Sequence, residues 1–133
     1  MSQKVLNDLK ILASKPLSNA TAMPKELYTS NEILSLEEDT IFNKEWICVG
    51  RATEIPKVGD YFTYQLGRQP IIILRDRSKK IKAMSNICLH RMMKIVEGKG
   101  NKKSFTCPYH AWTYNLDGNL VMAKYMDKTE CFN

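Results

Sequence analysis

The pattern of hydrophobic and polar residues divides the chain into a helical first part and a longer second part made of short strands. Before residue 46, apolar residues recur every three or four positions, as they do on one face of a helix. After it, short apolar stretches alternate with turns that contain Gly, Pro and Asp. Strands at such short spacing, without helices between them, indicate an antiparallel barrel or sandwich. The sequence therefore predicts a mainly β domain that one or two short helices precede.

Two stretches of the first part are predicted to be helical. The first is an amphipathic helix whose apolar positions are Val5, Leu6, Leu9, Ile11 and Leu12. Pro16 and Pro24 then break the chain, so we interpret residues 1–27 as a partly helical N-terminal arm. The second helix starts at the capping-box pattern of residues 29–32. It is expected to run to about residue 44, with Phe42 and Trp46 packed in a core.

The second part is predicted to form a single β domain, to which we assign residues 28–133 with the preceding helix. Residues 67–69 and 115–119 are the expected hairpin turns, the second with Asp-Gly at its tip. Residues 71–74 are all apolar, so both faces of that strand should be buried. The predicted strands are residues 46–51, 61–66, 70–75, 81–84, 104–107, 113–114 and 120–122.

Composition and charge narrow the class of protein. A hydrophobic fraction of 44% is ordinary for a globular domain, and no apolar run approaches the ~20 residues that span a membrane. The N-terminus has charges and no apolar signal core, so we expect a cytoplasmic protein that does not bind membranes. The net charge of +6 includes lysine clusters at residues 79–82 and 94–103. We interpret them as solvated loop charge rather than a nucleic-acid site, because aromatic residues are nearly absent among them.

The four cysteines are read as thiols and metal ligands rather than disulfides. Cys48 lies in an apolar stretch and is predicted to be a small buried hydrophobic residue. Cys131 lies near the end of the sequence and is predicted to be a free thiol. The other two cysteines belong to the motifs that follow.

Two short motifs carry the candidate chemistry: Cys88-Leu89-His90 and Cys107-Pro108-Tyr109-His110. Each offers one thiolate and one imidazole, and the chain has only 2 histidines, both within the motifs. Such a donor set suits a tetrahedral zinc or a Rieske-type iron–sulfur cluster. Zinc fingers pair like residues within a motif, whereas a Rieske cluster takes two Cys on one iron and two His on the other. Mixed pairs therefore favour the [2Fe–2S] cluster.

Together the motifs resemble the Rieske domain of ring-hydroxylating oxygenase alpha subunits. The resemblance rests on Cys88-x-His90-Arg91 and on the stretch from Cys107 to Gly118, Cys-Pro-Tyr-His-Ala-Trp-Thr-Tyr-Asn-Leu-Asp-Gly. It implies the Rieske fold, a small antiparallel barrel or sandwich, with a cluster-binding subdomain of two ligand loops at about residues 85–118. It also implies that four side chains hold the cluster: Cys88, His90, Cys107 and His110.

The resemblance assigns supporting roles to further residues, namely Arg91, Tyr109, Trp112 and Tyr114. Trp112 stands where Rieske proteins of respiratory complexes have a serine donor and is expected to shield the cluster, while Tyr114 keeps a phenol donor. With one donor fewer, the reduction potential is expected on the order of −150 mV. The family often has Gly where this chain has Met92, and we interpret Met92 and Met93 as core filler.

Two functions remain open at this point, with a zinc-stabilised interaction module as a third. The first is the electron-transfer domain of an oxygenase alpha subunit, which receives electrons from a ferredoxin or flavin reductase. It would pass them to an oxygenase catalytic domain of the same or a neighbouring subunit. Such a domain holds mononuclear Fe(II) by two His and a carboxylate, and this chain has no His left for that site. The second is a stand-alone Rieske-type ferredoxin.

Overall fold

A computed structural model describes residues 2–126, 128–130 and 132 of the chain. It divides the chain into two compact units, Met1–Ile47 and Cys48–Asn133. The prediction that Cys131 is a free thiol lies outside the described residues. None of the helices among the described residues has the length and hydrophobicity that a membrane crossing requires.

The first unit is helical, as its apolar spacing predicted. It contains α1 (Ser2–Ala13), a 3-10 turn (Leu17–Asn19), α2 (Glu26–Thr29), α3 (Asn31–Glu37) and a π-helical segment (Glu38–Phe42). Ser30 caps α3, because its hydroxyl accepts a hydrogen bond from the Ile33 backbone N–H at 3.4 Å. The helix was predicted to reach about residue 44. Its last turn is instead wider, because the Asn43 N–H bonds to the carbonyl five residues back.

The second unit holds a four-stranded antiparallel sheet. Its strands are β1 (Asp60–Leu66), β2 (Gln69–Arg75), β3 (Ile81–Ser85) and β4 (Lys99–Asn101), in the order β3-β2-β1-β4. Leu66 pairs with Gln69, so the β1–β2 hairpin has a two-residue turn in which Gly67 has φ of 52°. Ile72, Ile73 and Leu74 are all buried, which confirms that both faces of β2 are covered.

A second, smaller sheet follows and carries part of the candidate site. It consists of β5 (Phe105–Thr106), β6 (Thr113–Tyr114) and β7 (Leu120–Met122) in the order β5-β6-β7. The Asp117-Gly118 turn joins β6 to β7, and Gly118 has φ of 86°. The carboxylates of Asp76 and Asp117 both bind the Lys82 ammonium, so this turn is tied to the first sheet.

One core serves both sheets. Phe105 is fully buried and meets the Tyr61 ring edge-to-face, with ring centroids 5.3 Å apart. The same cluster of buried residues includes Cys88 and Cys107. Because Cys88 and Cys107 are packed in this core, their positions do not depend on a bound ligand.

Three predictions about residues 42–51 are wrong. Residues 46–51 form no strand, Cys48 is exposed, and Trp46 is fully exposed at 101%, with Phe42 also exposed. The physical reason lies in the sheet. β1 pairs with β2 along one edge and with β4 along the other. Because β4, a Lys-Gly-Asn segment from the predicted lysine loop, occupies that second edge, residues 46–51 have no strand to pair with there.

Candidate metal centre

The first ligand motif lies on a tight turn that its own backbone closes. The Cys88 N–H donates to the Met93 carbonyl at 2.8 Å, and the Met92 N–H donates to the Cys88 carbonyl at 2.9 Å. Met92 takes the left-handed conformation, φ 55°, where glycine is the usual residue. The turn forms here without glycine.

The second motif repeats this geometry. The Cys107 N–H donates to the Trp112 carbonyl at 2.8 Å, and the Ala111 N–H donates to the Cys107 carbonyl at 3.0 Å. Ala111 has φ of 60°. Both motifs therefore start on a cysteine whose amide and carbonyl close the turn, with a left-handed residue four positions later.

The methionines of the first turn do not fill the core. Met92 is 72% exposed and Met93 is 43% exposed, so the prediction of core filler is wrong. The physical reason is the turn itself: closing it at Met92 leaves these two residues on its outside, with Leu89 also exposed beside them.

The two turns bring the cysteines together. Cys88 and Cys107 are 1% and 3% exposed and belong to one buried cluster. Burial opposes ionisation of Cys88. Even so, hydrogen bonds from the Tyr114 hydroxyl, from backbone N–H groups and from Cys107 lower the pKa of the Cys88 thiol below its usual value. A buried thiol with several donors is disposed to be a thiolate, which is the form that binds metal.

The histidines form the other pair. The rings of His90 and His110 lie 4.6 Å apart at an angle of 70°. Both rings are half-buried, and the Nδ1 atom of each is buried without a hydrogen-bond partner. Burial lowers the pKa of His110, and the charges of His90 and Arg91 lower it further. The imidazole is thus held in its neutral form, which is the form that coordinates a metal.

Tyr114 connects the two turns. Its hydroxyl accepts a hydrogen bond from the Leu89 N–H at 2.9 Å and donates to the Cys88 sulfur at 3.4 Å. Burial, together with the adjacent Cys88, raises the pKa of Tyr114 to about 12. The phenol therefore stays protonated and keeps its donor.

The other predicted supporting residues surround the histidines. Trp112 is 6% exposed and stacks on His90, with ring centroids 4.7 Å apart and planes 9° from parallel. Tyr109 is exposed, and its ring lies 3.8 Å from that of His110. Arg91 is exposed and acts on His110 through its charge. Trp112 therefore covers one face of His90, and its role as a shield of the cluster stays a prediction.

Sequence reasoning missed Asn86. Its side chain is buried, donates to the Val96 carbonyl at 2.7 Å and accepts from the N–H groups of Ile95 and Val96 at 3.1 and 3.0 Å. These bonds join the two ends of the first ligand turn. The available signal was an Asn two residues before a motif cysteine, at the end of a predicted strand.

The donor set fits a cluster that has two thiolates on one iron and two imidazoles on the other. Like residues pair across the turns, Cys88 with Cys107 and His90 with His110, although each motif is mixed. A buried nitrogen without a partner costs about 1–3 kcal/mol. Coordination of iron would give both Nδ1 atoms a partner, so the two neighbouring imidazoles fit such a cluster.

Comparisons with known proteins agree with this chemistry. A family model described as the Rieske [2Fe-2S] domain matches residues 45–133. The carnitine monooxygenase oxygenase subunit of Acinetobacter baumannii is 39% identical over 115 residues, which are 86% of this chain and 31% of that protein. The anthranilate 1,2-dioxygenase large subunit of Acinetobacter baylyi is 40% identical over 111 residues, 83% of this chain and 24% of that protein.

Solved structures show the same likeness. The quaternary ammonium Rieske monooxygenase CntA, in complex with gamma-butyrobetaine, superposes with a TM-score of 0.78 at 39% identity, over 86% of this chain and 33% of that one. Naphthalene 1,2-dioxygenase from Rhodococcus sp. gives a TM-score of 0.81 at 29% identity, over 96% and 28%. The chain thus spans about a third or less of the length of these relatives.

Proposed function

The chain belongs to the Rieske [2Fe-2S] domain family, and on that premise we propose that it is the electron-transfer domain of an oxygenase alpha subunit. The mainly β Rieske fold predicted from the sequence is confirmed by the family match and by the superpositions. A Rieske domain holds a [2Fe–2S] cluster, so neither the zinc module nor a role unrelated to electrons gains support.

The proposed ligands are Cys88 and Cys107 on one iron and His90 and His110 on the other. The observation that carries this assignment is the pair of buried Nδ1 atoms without partners, on imidazoles 4.6 Å apart. When bound, such a cluster accepts and releases one electron at a time. The chain supplies the rest: the turn that holds each cysteine, and the Tyr114 hydroxyl that donates to Cys88.

The imidazole pair is the proposed exit for electrons. Both histidines are half-buried residues whose Nδ1 atoms are buried, and we infer that the far edge of each imidazole faces outward. The exposed Tyr109 and Met92 lie on the same two turns. We assign this face to the mononuclear iron domain of the same or a neighbouring subunit. Inter-subunit electron transfer has been described for the related monooxygenase.

The charge of the second unit supports an acidic electron donor. Residues 48–133 contain fifteen Lys and Arg against seven Asp and Glu, a difference of +8. The first unit contains five Lys against seven Asp and Glu, a difference of −2. A positive field of this kind raises the association rate of a negatively charged partner. The proposed donor is a ferredoxin or flavin reductase with an acidic face.

The test of the ligand set is iron, sulfide and spectroscopy on the anaerobically purified chain. We expect two iron and two acid-labile sulfide per chain, a red-brown colour, and an electron paramagnetic resonance signal on reduction. Cys107→Ser should abolish all three. Cys48→Ser is the matched control, because Cys48 is exposed and belongs to neither turn; it should leave the cluster intact.

Two results would contradict the proposal. The first is wild-type protein that contains no acid-labile sulfide, or that contains zinc instead of iron. The second is a Cys107→Ser chain that retains a normal cluster.

The electron donor is tested separately, by the salt dependence of cluster reduction. The second-order rate with an acidic ferredoxin should fall steeply as ionic strength rises, and a rate independent of salt would contradict the electrostatic argument.

A further inference from the structure

One buried polar atom of the site has no role in the ligand set. Within the part of the chain that the structure describes, three buried side-chain nitrogens lack partners: Nδ1 of His90, Nδ1 of His110 and Nε1 of Trp112. The two histidine atoms are explained as ligands under the proposed function. The indole N–H is not a ligand, because it is a donor only, and a buried Trp N–H usually finds an acceptor.

The position of the indole restricts what the acceptor is. Trp112 lies parallel to His90 at 4.7 Å and shares a buried cluster with Cys88 and Cys107. Its own carbonyl accepts from Cys107, so the residue is fixed to the second ligand turn at its backbone. The Nε1 atom is buried, and none of the described residues offers it a conventional acceptor. The ring of Phe132 meets the indole edge-on, with centroids 5.4 Å apart, and offers only a weak π acceptor. Under the proposed function, the cluster that the cysteines and histidines hold would bring stronger acceptors, its sulfur atoms, into the same buried region.

We propose that the indole N–H of Trp112 donates a hydrogen bond to a sulfur atom of the bound cluster and raises its reduction potential. The proposal rests on the proposed function and adds a second donor to the one from Tyr114. A hydrogen bond to sulfur stabilises the reduced cluster more than the oxidised one, because the reduced cluster carries more negative charge. Trp112 then acts as a tuning residue as well as a shield.

The test compares Trp112→Phe with Trp46→Phe in reconstituted protein. Phenylalanine keeps an aromatic ring against His90 and removes the N–H, while Trp46 is fully exposed and serves as the matched control. At a fixed applied potential, the ratio of reduced to oxidised cluster should fall about tenfold in Trp112→Phe. For a one-electron couple this corresponds to a midpoint about 59 mV lower. Trp46→Phe should match the wild type.

The sign of the shift separates a hydrogen bond from shielding. If Trp112 only excluded water, the smaller ring would admit water dipoles, which favour the more negative reduced state and raise the potential. An unchanged or raised midpoint in Trp112→Phe therefore overturns the proposal. A wild-type chain without a cluster would instead overturn the proposed function, so the two failures are distinct.

A second measurement covers the case in which Trp112→Phe does not load. Wild-type protein is grown with tryptophan labelled with 15N in the indole, while the histidines keep 14N. Pulsed electron paramagnetic resonance of the reduced cluster should show a 15N coupling, and Trp46→Phe should retain it. The absence of that coupling in cluster-loaded wild type overturns the hydrogen bond.

Discussion

Replacing Asn86 by alanine should destabilise the protein more than any other single polar deletion near the site. The Asn86 side chain makes three hydrogen bonds to Ile95 and Val96 and is 1% exposed. In Asn86→Ala the Ile95 N–H keeps a partner, since it also donates to the Asn86 backbone carbonyl at 3.2 Å. The N–H and the carbonyl of Val96 lose the only partners that the structure gives them.

The expected loss follows from those two groups. A fully buried polar group left without a partner costs about 1–3 kcal/mol. Because the Val96 groups are only partly buried, the two together should cost about 1–3 kcal/mol. Native domains have only about 5–15 kcal/mol of stability. Because these bonds join the ends of the first ligand turn, the loss should also appear as weaker retention of the cluster.

The assay is urea unfolding of the cluster-loaded protein, followed by circular dichroism and by bleaching of visible absorbance. With a slope of about 1–3 kcal/mol per molar urea, a loss near 2 kcal/mol moves the midpoint down by about 1 M. Asn101→Ala is the matched control. The Asn101 side chain also makes two hydrogen bonds, to Val58 and Asp60, but it is exposed, so water replaces them.

The comparison of the two variants decides the outcome. Asn101→Ala should change the free energy of unfolding by no more than about 0.5 kcal/mol, the usual range for surface substitutions. If Asn86→Ala and Asn101→Ala unfold at the same urea concentration, burial does not determine the loss of unfolding free energy, and the prediction is refuted.

Three further predictions concern the same unit. Tyr114→Phe removes the hydroxyl that donates to Cys88; redox titration should show a midpoint lower by about 30–60 mV, a three- to tenfold change, and an unchanged midpoint would contradict the bond. Ala111→Val places a β-branched residue at φ 60° and should cost about 1–3 kcal/mol in urea unfolding, whereas Ala111→Gly should not destabilise; equal midpoints for the two variants would remove the argument from backbone strain. Lys82→Met removes the cation that binds Asp76. Burial raises the pKa of Asp76, but the hydrogen bonds from the Lys80 N–H and from Lys82 outweigh it and bring the pKa below the usual 3.8. The difference in unfolding free energy between wild type and Lys82→Met should therefore be constant near neutral pH and shrink below pH 3.8. A difference that grows on acidification would contradict this.

Except for β4, the strands beyond residue 60 were predictable, and β2 shows why: its hydrophobic pattern and its burial coincide. Residues 71–74 are apolar at every position, and β2 lies inside its sheet, with β1 on one side and β3 on the other. The hairpin turn at Gly67 was readable because glycine accepts the positive φ that a two-residue turn needs. In these segments local preference and tertiary packing give the same answer.

Other segments depend on contacts that a sequence does not display. β4 is Lys-Gly-Asn, which has little preference for a strand, and it becomes one because it pairs with β1. Residues 46–51 have the preference but no partner, so they stay irregular and Cys48 is exposed. Whether these segments form strands therefore depends less on their β propensity than on whether a sheet edge is available to pair with.

The candidate site shows the same division. The four proposed ligands were readable because mixed Cys and His motifs are rare and chemically specific. The Asn86 bonds and the repeated turn geometry were not readable, since they join residues whose proximity only the fold creates. The assignment of Cys88, His90, Cys107 and His110 as ligands stays a prediction until the iron and sulfide analysis is done, and the boundary of the arm at residue 27 also stays a prediction.

The pairing of like residues across the two turns has a consequence for how the cofactor is acquired. In the proposed ligand set neither motif would be a chelate for one iron, because each would contribute a thiolate to the first metal and an imidazole to the second. A newly made chain therefore offers no local stretch on which a preformed cluster can be seated. Maturation has to wait until β5 and β6 have brought Cys107 beside Cys88, so the delivery machinery must recognise a nearly native domain rather than a linear motif.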